Sequence, residues 1–150
     1  MVPIQNPKAR VAMVAQTVGT ATTNVYGNNI DGKGFDSATF VIEARSATTG
    51  SVPSLISIEH GDTTDATAYS AISSISTGLP TAINSTAVSN QDAYAVINVD
   101  LRGKKRFLRL GLRNADTNTP TCSAICVLDL GAKAPIAAAD AGSRYFNALG

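Results

Sequence analysis

Tryptophan is absent from this 150-residue chain, histidine occurs once and cysteine twice, and only 15% of residues are charged and 5% aromatic. Each shortage excludes something. Few aromatic rings leave little on which a sugar or a nucleic-acid base could stack. Any Ser-His-Asp or Cys-His pair would have to use His60, and no Gly-x-Ser-x-Gly stretch is present to place a nucleophile. A zinc centre would have to draw three or four ligands from that His, two Cys and scattered carboxylates. The net charge of +1 supplies no field to gather nucleic acid or an anionic membrane. No apolar run approaches the ~18–20 residues that span a bilayer. The first ten residues lack an apolar core flanked by early basic residues, so no secretory signal is expected. These shortages point to a non-enzymatic protein with no metal, no cofactor, no nucleic acid and no membrane among its partners.

The two cysteines, Cys122 and Cys126, lie in Thr-Cys-Ser-Ala-Ile-Cys-Val-Leu-Asp-Leu, a run rich in strand formers. Four residues along a strand separate Cα atoms by about 13 Å, against a limit near 7 Å for a disulfide. Both are therefore expected to be reduced, small core residues.

What the chain does contain is apolar residues at 44%, with abundant Ser, Thr, Ala and Gly. A single domain of this length buries roughly 68–70% of its unfolded surface and needs no disulfide to fold. The stretch from Ile30 to Arg45 sets the pattern. Asp31-Gly32 followed by Gly34 signals a turn. Strict alternation then places Ala38, Phe40, Ile42 and Ala44 on one side and Ser37, Thr39, Glu43 and Arg45 on the other, with Val41 the one apolar residue on the polar side.

Further strands are expected over Arg10 to Val18, Thr20 to Ile30 (interrupted by Gly27-Asn28-Asn29), Ser54 to His60, Tyr69 to Ile75, Tyr94 to Leu101, Arg106 to Arg113 and Cys122 to Leu130. In the first of these, Val11, Met13 and Ala15 take one face and Ala12, Val14 and Gln16 the other. Both faces are apolar there, which points to burial by the core and by a neighbour, and also in the last strand, as befits a central strand or one covered by a partner. Gly103-Lys104-Lys105 reads as the tight turn of a hairpin between the Tyr94 and Arg106 runs. Residues 46–53 are turn-rich, and 76–91 are polar with Ile83 and Val88 as scattered anchors. About eight short strands with frequent turn signals and no long helical period predict an all-β fold, a single-domain antiparallel β-sandwich or jelly roll over residues 10–131. Residues 1–9, with Pro3, Ile4 and Pro7, read as an extended N-terminal arm. Residues 132–150 form a C-terminal tail, in which Ala137 to Ala141 could make one helical turn. The apolar Tyr145, Phe146 and Leu149 either fold back on the sandwich or anchor on another subunit.

Three constellations carry alternatives. His60, at a strand end between Glu59 and Gly61, is a rim residue unless it is catalytic. Asp62 and Asp65, with Thr63, Thr64 and Thr67, could offer oxygens to a hard cation, but the same residues are ordinary turn formers. Arg102, Lys104, Lys105, Arg106, Arg109 and Arg113 form the one basic run: either a solvated hairpin tip or a patch that docks on an acidic protein surface.

Two segments carry a resemblance. Ile30-Asp-Gly-Lys-Gly-Phe-Asp-Ser-Ala-Thr-Phe-Val-Ile resembles the opening strand of small tailed-bacteriophage virion proteins, with their Ile-Asp-x-x-Gly-Phe/Tyr-x-Ser-x-x-Phe-x-Ile pattern. Gly103-Lys-Lys-Arg-Phe-Leu-Arg-Leu-Gly-Leu is similar to a later strand of the same proteins. The resemblance implies a β-rich capsid decoration or cement protein that bridges subunits of the major capsid protein. It further implies a homo-oligomer, trimer or dimer, on the outer surface of a capsid assembled in the host cytoplasm, with no catalytic residues. Another structural virion component (a head-fibre base, tail or adaptor protein) and a glycan-binding β-sandwich module are the alternatives; the lack of tryptophan opposes the last. Partner contacts are expected from Pro3, Ile4 and Pro7 in the arm, from the basic run, and from Tyr145, Phe146 and Leu149 in the tail.

Overall fold

The structure, a computed structural model, describes residues 7–18, 24–45, 55–72, 92–114, 119–130 and 145–146. Its strands are β1 (Lys8–Thr17), β2 (Val25–Tyr26), β3 (Ile30–Asp31), β4 (Ser37–Arg45), β5 (Leu55–Gly61), β6 (Tyr69–Ala71), β7 (Asp92–Asp100), β8 (Phe107–Arg113), β9 (Thr121–Asp129) and β10 (Tyr145–Phe146). A single 3-10 turn, Ala66–Ala68, is the one helical element among the described residues. No helix there is long and apolar enough to cross a membrane.

The strands form two antiparallel sheets. The first runs β1-β9-β4-β7-β10, and the second runs β2-β8-β5-β6 with β3 also on β8. Taking β2 and β3 as one interrupted strand, β1 pairs β9, β2 pairs β8, β4 pairs β7 and β5 pairs β6. A long four-by-four hairpin rolled up on itself has this pairing. The rolling adds β4 to β9 and β5 to β8 as neighbours. This is the jelly-roll form of the β-sandwich.

Alternation places the core between the sheets. Ala38, Phe40, Ile42 and Ala44 of β4, Ile97 and Val99 of β7 and Cys122, Cys126 and Leu128 of β9 face Ile56, Ile58, Leu108, Leu110 and Leu112 of the second sheet, and all are buried. Both thiols are free, and burial raises each to about 12, so they behave as small apolar groups.

Two expectations are corrected. The Tyr94 and Arg106 runs are strands, but they are not a hairpin. β7 lies in the first sheet and β8 in the second, so residues 101–106 arch across the sandwich. Gly103 supplies the positive φ of 74° that the bend requires, and Lys104 N–H donates to Leu101 O at 2.9 Å. The inward leucines of β8 thus oppose Ile97 and Val99 across the core rather than standing beside them. The phase of β1 is the second correction. Register shifts between Val11 and Met13 and between Met13 and Gln16 mark two bulges against β9. A bulge breaks the period of two, so Ala12 and Met13 both point inward while Val11 and Val14 are exposed. Asn28 N–H donates to the bulged Ala12 O at 2.7 Å, which ties the edge of the second sheet to β1. Gly27 permits this approach, since a Cβ there would lie 2.1 Å from Ala12 O.

Of the expected arm, residues 1–6 lie outside the described residues while Lys8 and Ala9 belong to β1; 46–53, 73–91 and all of the tail except 145–146 also lie outside them. Tyr145 and Phe146 pair with Ile97 and Val96 at the free edge of β7, so the tail's backbone returns to the sandwich at this point.

Candidate interaction surfaces

Antiparallel register decides which outward residues become neighbours. On the first sheet, Val11 of β1 stands opposite Ile125 of β9, Ile125 opposite Val41 of β4, and Val41 opposite Val96 of β7. Four β-branched residues therefore cross the outer face in one row. Val11 is 54% and Ile125 47% exposed, with Val41 and Val96 half-buried. Register carries the row on to position 146. The row on one side is Ser123, Glu43 and Tyr94, with Val14, 65% exposed, beside it at the bulge. On the other side run Ala9, Val127, Thr39 and Asn98, where Thr39 Oγ1 lies 2.7 Å from Asn98 Oδ1 as its donor. The apolar doubling noted in three separate strands of the sequence thus converges on one surface.

The arch forms one end of the molecule. Arg106 donates through Nε and Nη2 to both oxygens of Asp31, at 2.9 and 2.6 Å. That fork holds the Asp31 carboxyl down at about 2, with the Lys33 N–H adding to it. Arg102 makes the same two-pronged contact with Asp100, whose pKa is lowered chiefly by it. Lys105 Nζ lies 2.9 Å from Asp62, and its backbone N–H donates to His60 Nδ1 at 3.1 Å. Burial, then the charges of Lys104 and Lys105, push the His60 pKa down. Neutral His60 is therefore a rim residue that accepts a hydrogen bond from the arch. Asp65 accepts from Thr67 N–H and Oγ1 and caps the 3-10 turn, which lowers its pKa. Both aspartates of the oxygen-rich loop are thus engaged in turn and surface contacts. Among the described residues, no group of three or more His, Cys, Asp or Glu side chains could hold a metal ion.

Arg109 is the correction to the basic run. It lies on the outer face of the second sheet, as alternation requires, but it is buried. Its guanidinium sits 3.8 Å from the ring centre of Tyr26 and 4.1 Å from that of Tyr69. Nε and Nη2 reach Glu59 at 2.7 and 2.6 Å, and Tyr26 OH donates to the other Glu59 oxygen at 3.1 Å. Gly111 makes room for the Tyr26 ring, since a Cβ there would fall 2.9 Å from it. No sequence signal marks this cluster, because its members come from β2, β5, β6 and β8.

Of the expected contact residues, Arg102, Lys105 and Arg106 are exposed but each is paired with an aspartate. Lys104 and Arg113 are half-buried, and Pro7 is exposed. Pro3, Ile4 and Leu149 lie outside the described residues, and Tyr145 and Phe146 are placed by their backbone alone. The basic run is therefore no single patch of six cations.

No protein-family model matches this chain, and no curated protein does. Among solved structures, the chain is similar to the crystal structure of SPBc2 prophage-derived protein YomS, with a TM-score of 0.41 and 15% identity over 85% of this chain and 97% of that one. A likeness of that size carries no argument about function.

Proposed function

We propose that this chain is a capsid cement or decoration protein of a tailed bacteriophage, which binds and bridges subunits of the major capsid protein. The observation that supports this reading best is where the two virion-like segments lie. Residues 30–42 and 103–112 are far apart in sequence, yet they pack together as one unit. Ile30 pairs with Leu108 and Asp31 with Phe107, Gly32 N–H donates to Arg106 O at 2.9 Å, and the Arg106–Asp31 ion pair locks the turn to the arch. The shared pattern is thus a packing unit, with Ile30, Phe40 and Ile42 buried and Gly34 at a φ of 85°. A jelly roll serves capsids and lectins alike, so the fold does not itself choose between them.

A cement protein stabilises a shell by adding buried area across subunit boundaries. Modest contacts suffice when one molecule grips several subunits, because later contacts form at high effective concentration. The arch end, studded with balanced ion pairs, and the exposed Pro7, where the arm meets β1, suit docking on a polar coat surface. A glycan-binding role fits less well, since Arg109 occupies a face of both the Tyr26 and the Tyr69 ring.

Particles of the encoding phage should carry this protein in a copy number comparable to that of the coat subunits. Particles made without it should burst at lower temperature. A copy number matching the portal or tail would make it a connector instead, and unchanged heat resistance at high copy number would remove the cement role.

A further inference from the structure

We propose that the outer face of the first sheet is a self-association surface, on which a second copy of this chain packs face to face about a two-fold axis lying along the Val11–Ile125–Val41–Val96 row. Area is the first argument. Strands of nine residues in β4, β7 and β9, with β1 beside them, offer about 600 Å² per copy at strand spacings near 4.8 Å and a rise of about 3.3 Å. Two copies would bury about 1,200 Å² or more, the lower bound of a standard stable interface.

Self-complementarity is the second. A two-fold axis along the row sets Val11 against Val11, Ile125 against Ile125, Val41 against Val41 and Val96 against Val96 of the partner, giving a dry centre. It also exchanges the flanking rows. Ser123, Glu43 and Tyr94 of one copy then oppose Val127, Thr39 and Asn98 of the other. The Glu43 carboxylate meets a hydroxyl and a neighbouring amide, so no like charges face each other within these three rows. An axis along the strands would instead oppose Glu43 rows to each other, which like-charge repulsion disfavours. An isologous contact of this kind closes at two copies, so the geometry selects a dimer over a trimer. It does not depend on the capsid assignment, and it is read on the isolated protein.

The test combines sedimentation velocity of the full chain with cysteine cross-linking. The protein should sediment as a dimer at micromolar concentration. Ile125→Asp, which places a charge outside the core, should weaken dimerisation at least tenfold while leaving the circular dichroism spectrum unchanged. Val41 lies on the axis, so Val41→Cys should be captured as a covalent dimer by a bismaleimide reaching across the ~10 Å between facing sheets. Thr39→Cys, displaced from the axis, should be captured poorly; the native thiols are buried. A monomeric wild type, a trimer, or a dimer that survives Ile125→Asp would each overturn the proposal. If Thr39→Cys is captured as well as Val41→Cys, the axis is wrong. A monomer here would leave the capsid reading standing, with a coat subunit as the partner for this face.

Discussion

At the scale of single residues, the Arg109–Glu59 ion pair is set apart by its burial, with both side chains only 10% exposed. Alternation places Arg109 on the outer face, and that much is correct. Its burial comes from Tyr26, Glu59 and Tyr69, which close over it from three other strands. A buried pair contributes little beyond a well-packed apolar substitute, but losing one partner leaves a charge uncompensated, at a cost of about 3–5 kcal/mol. Arg109→Met should therefore destabilise strongly, and Arg109→Met with Glu59→Leu should recover much of the loss. Urea unfolding of the four members of that cycle measures the coupling; additive single effects would show that the pair is not energetically linked. His60 gives the residue scale its pH dependence. Its folded pKa is depressed by burial and by the Lys104 and Lys105 charges, so the unfolded chain takes up the proton first as pH falls. The stability this linkage contributes is whole above the unfolded value of 6.5 and is lost as pH drops through the folded value. His60→Gln, which cannot titrate, should flatten the fall in stability between pH 7 and 5. The chain has no second histidine to mask the effect, and equal slopes for both proteins would refute it.

At the scale of elements, the existence of strands was readable and their neighbours were not. A period of two residues reports which side chains share a face, and the alternations of β4, β7 and β8 place their buried apolar residues correctly. The same period is silent on which strand lies alongside. Leu108, Leu110 and Leu112 satisfy a hairpin with β7 and an arch over it equally well, because both bury the same leucines. What separates the two is the partner of β8, and that is β5, through Ile56↔Leu112 and Ile58↔Leu110. β1 failed for a different reason. Two added residues turn its face twice within ten positions, and no residue type announces a bulge of this kind. Val41 was legible as an oddity, and so were the two-sided apolar patterns of β1 and β9. Their convergence into one row needed the register, which only the three-dimensional pairing supplies. The basic run is not one uniformly positive patch, for an electrostatic reason. Asp31, Asp62 and Asp100 are distant or unremarkable in sequence, yet each falls beside one of its cations.

At the scale of the whole molecule, the rolled-up pairing makes the two halves of the chain dependent on each other. β9 has β1 and β4 as neighbours, β7 has β4, and β8 has β2, β3 and β5. Among the described residues, only β5 with β6, through three residue pairs, and β7 with β10, through two, pair within the same half. A chain cut between β6 and β7 would thus leave a first half whose strands are almost all unpaired. The second half would hold β7, β8 and β9 with no partner except the short β10. Neither half retains a face that can be covered, since the buried side of each strand packs against residues supplied by both. Two strands alone are marginal in water, and independent stability needs several strands with a covered apolar face. Each fragment should therefore lack a cooperative unfolding transition by circular dichroism, and an equimolar mixture should regain the β signal of the intact protein, more slowly at lower concentration. Folding of the uncut chain should likewise be slow for its size, in milliseconds to seconds, because almost every sheet contact closes a long loop. A fragment that unfolded cooperatively alone would contradict the β1–β9, β4–β7 and β5–β8 pairings together, since each of them crosses the cut.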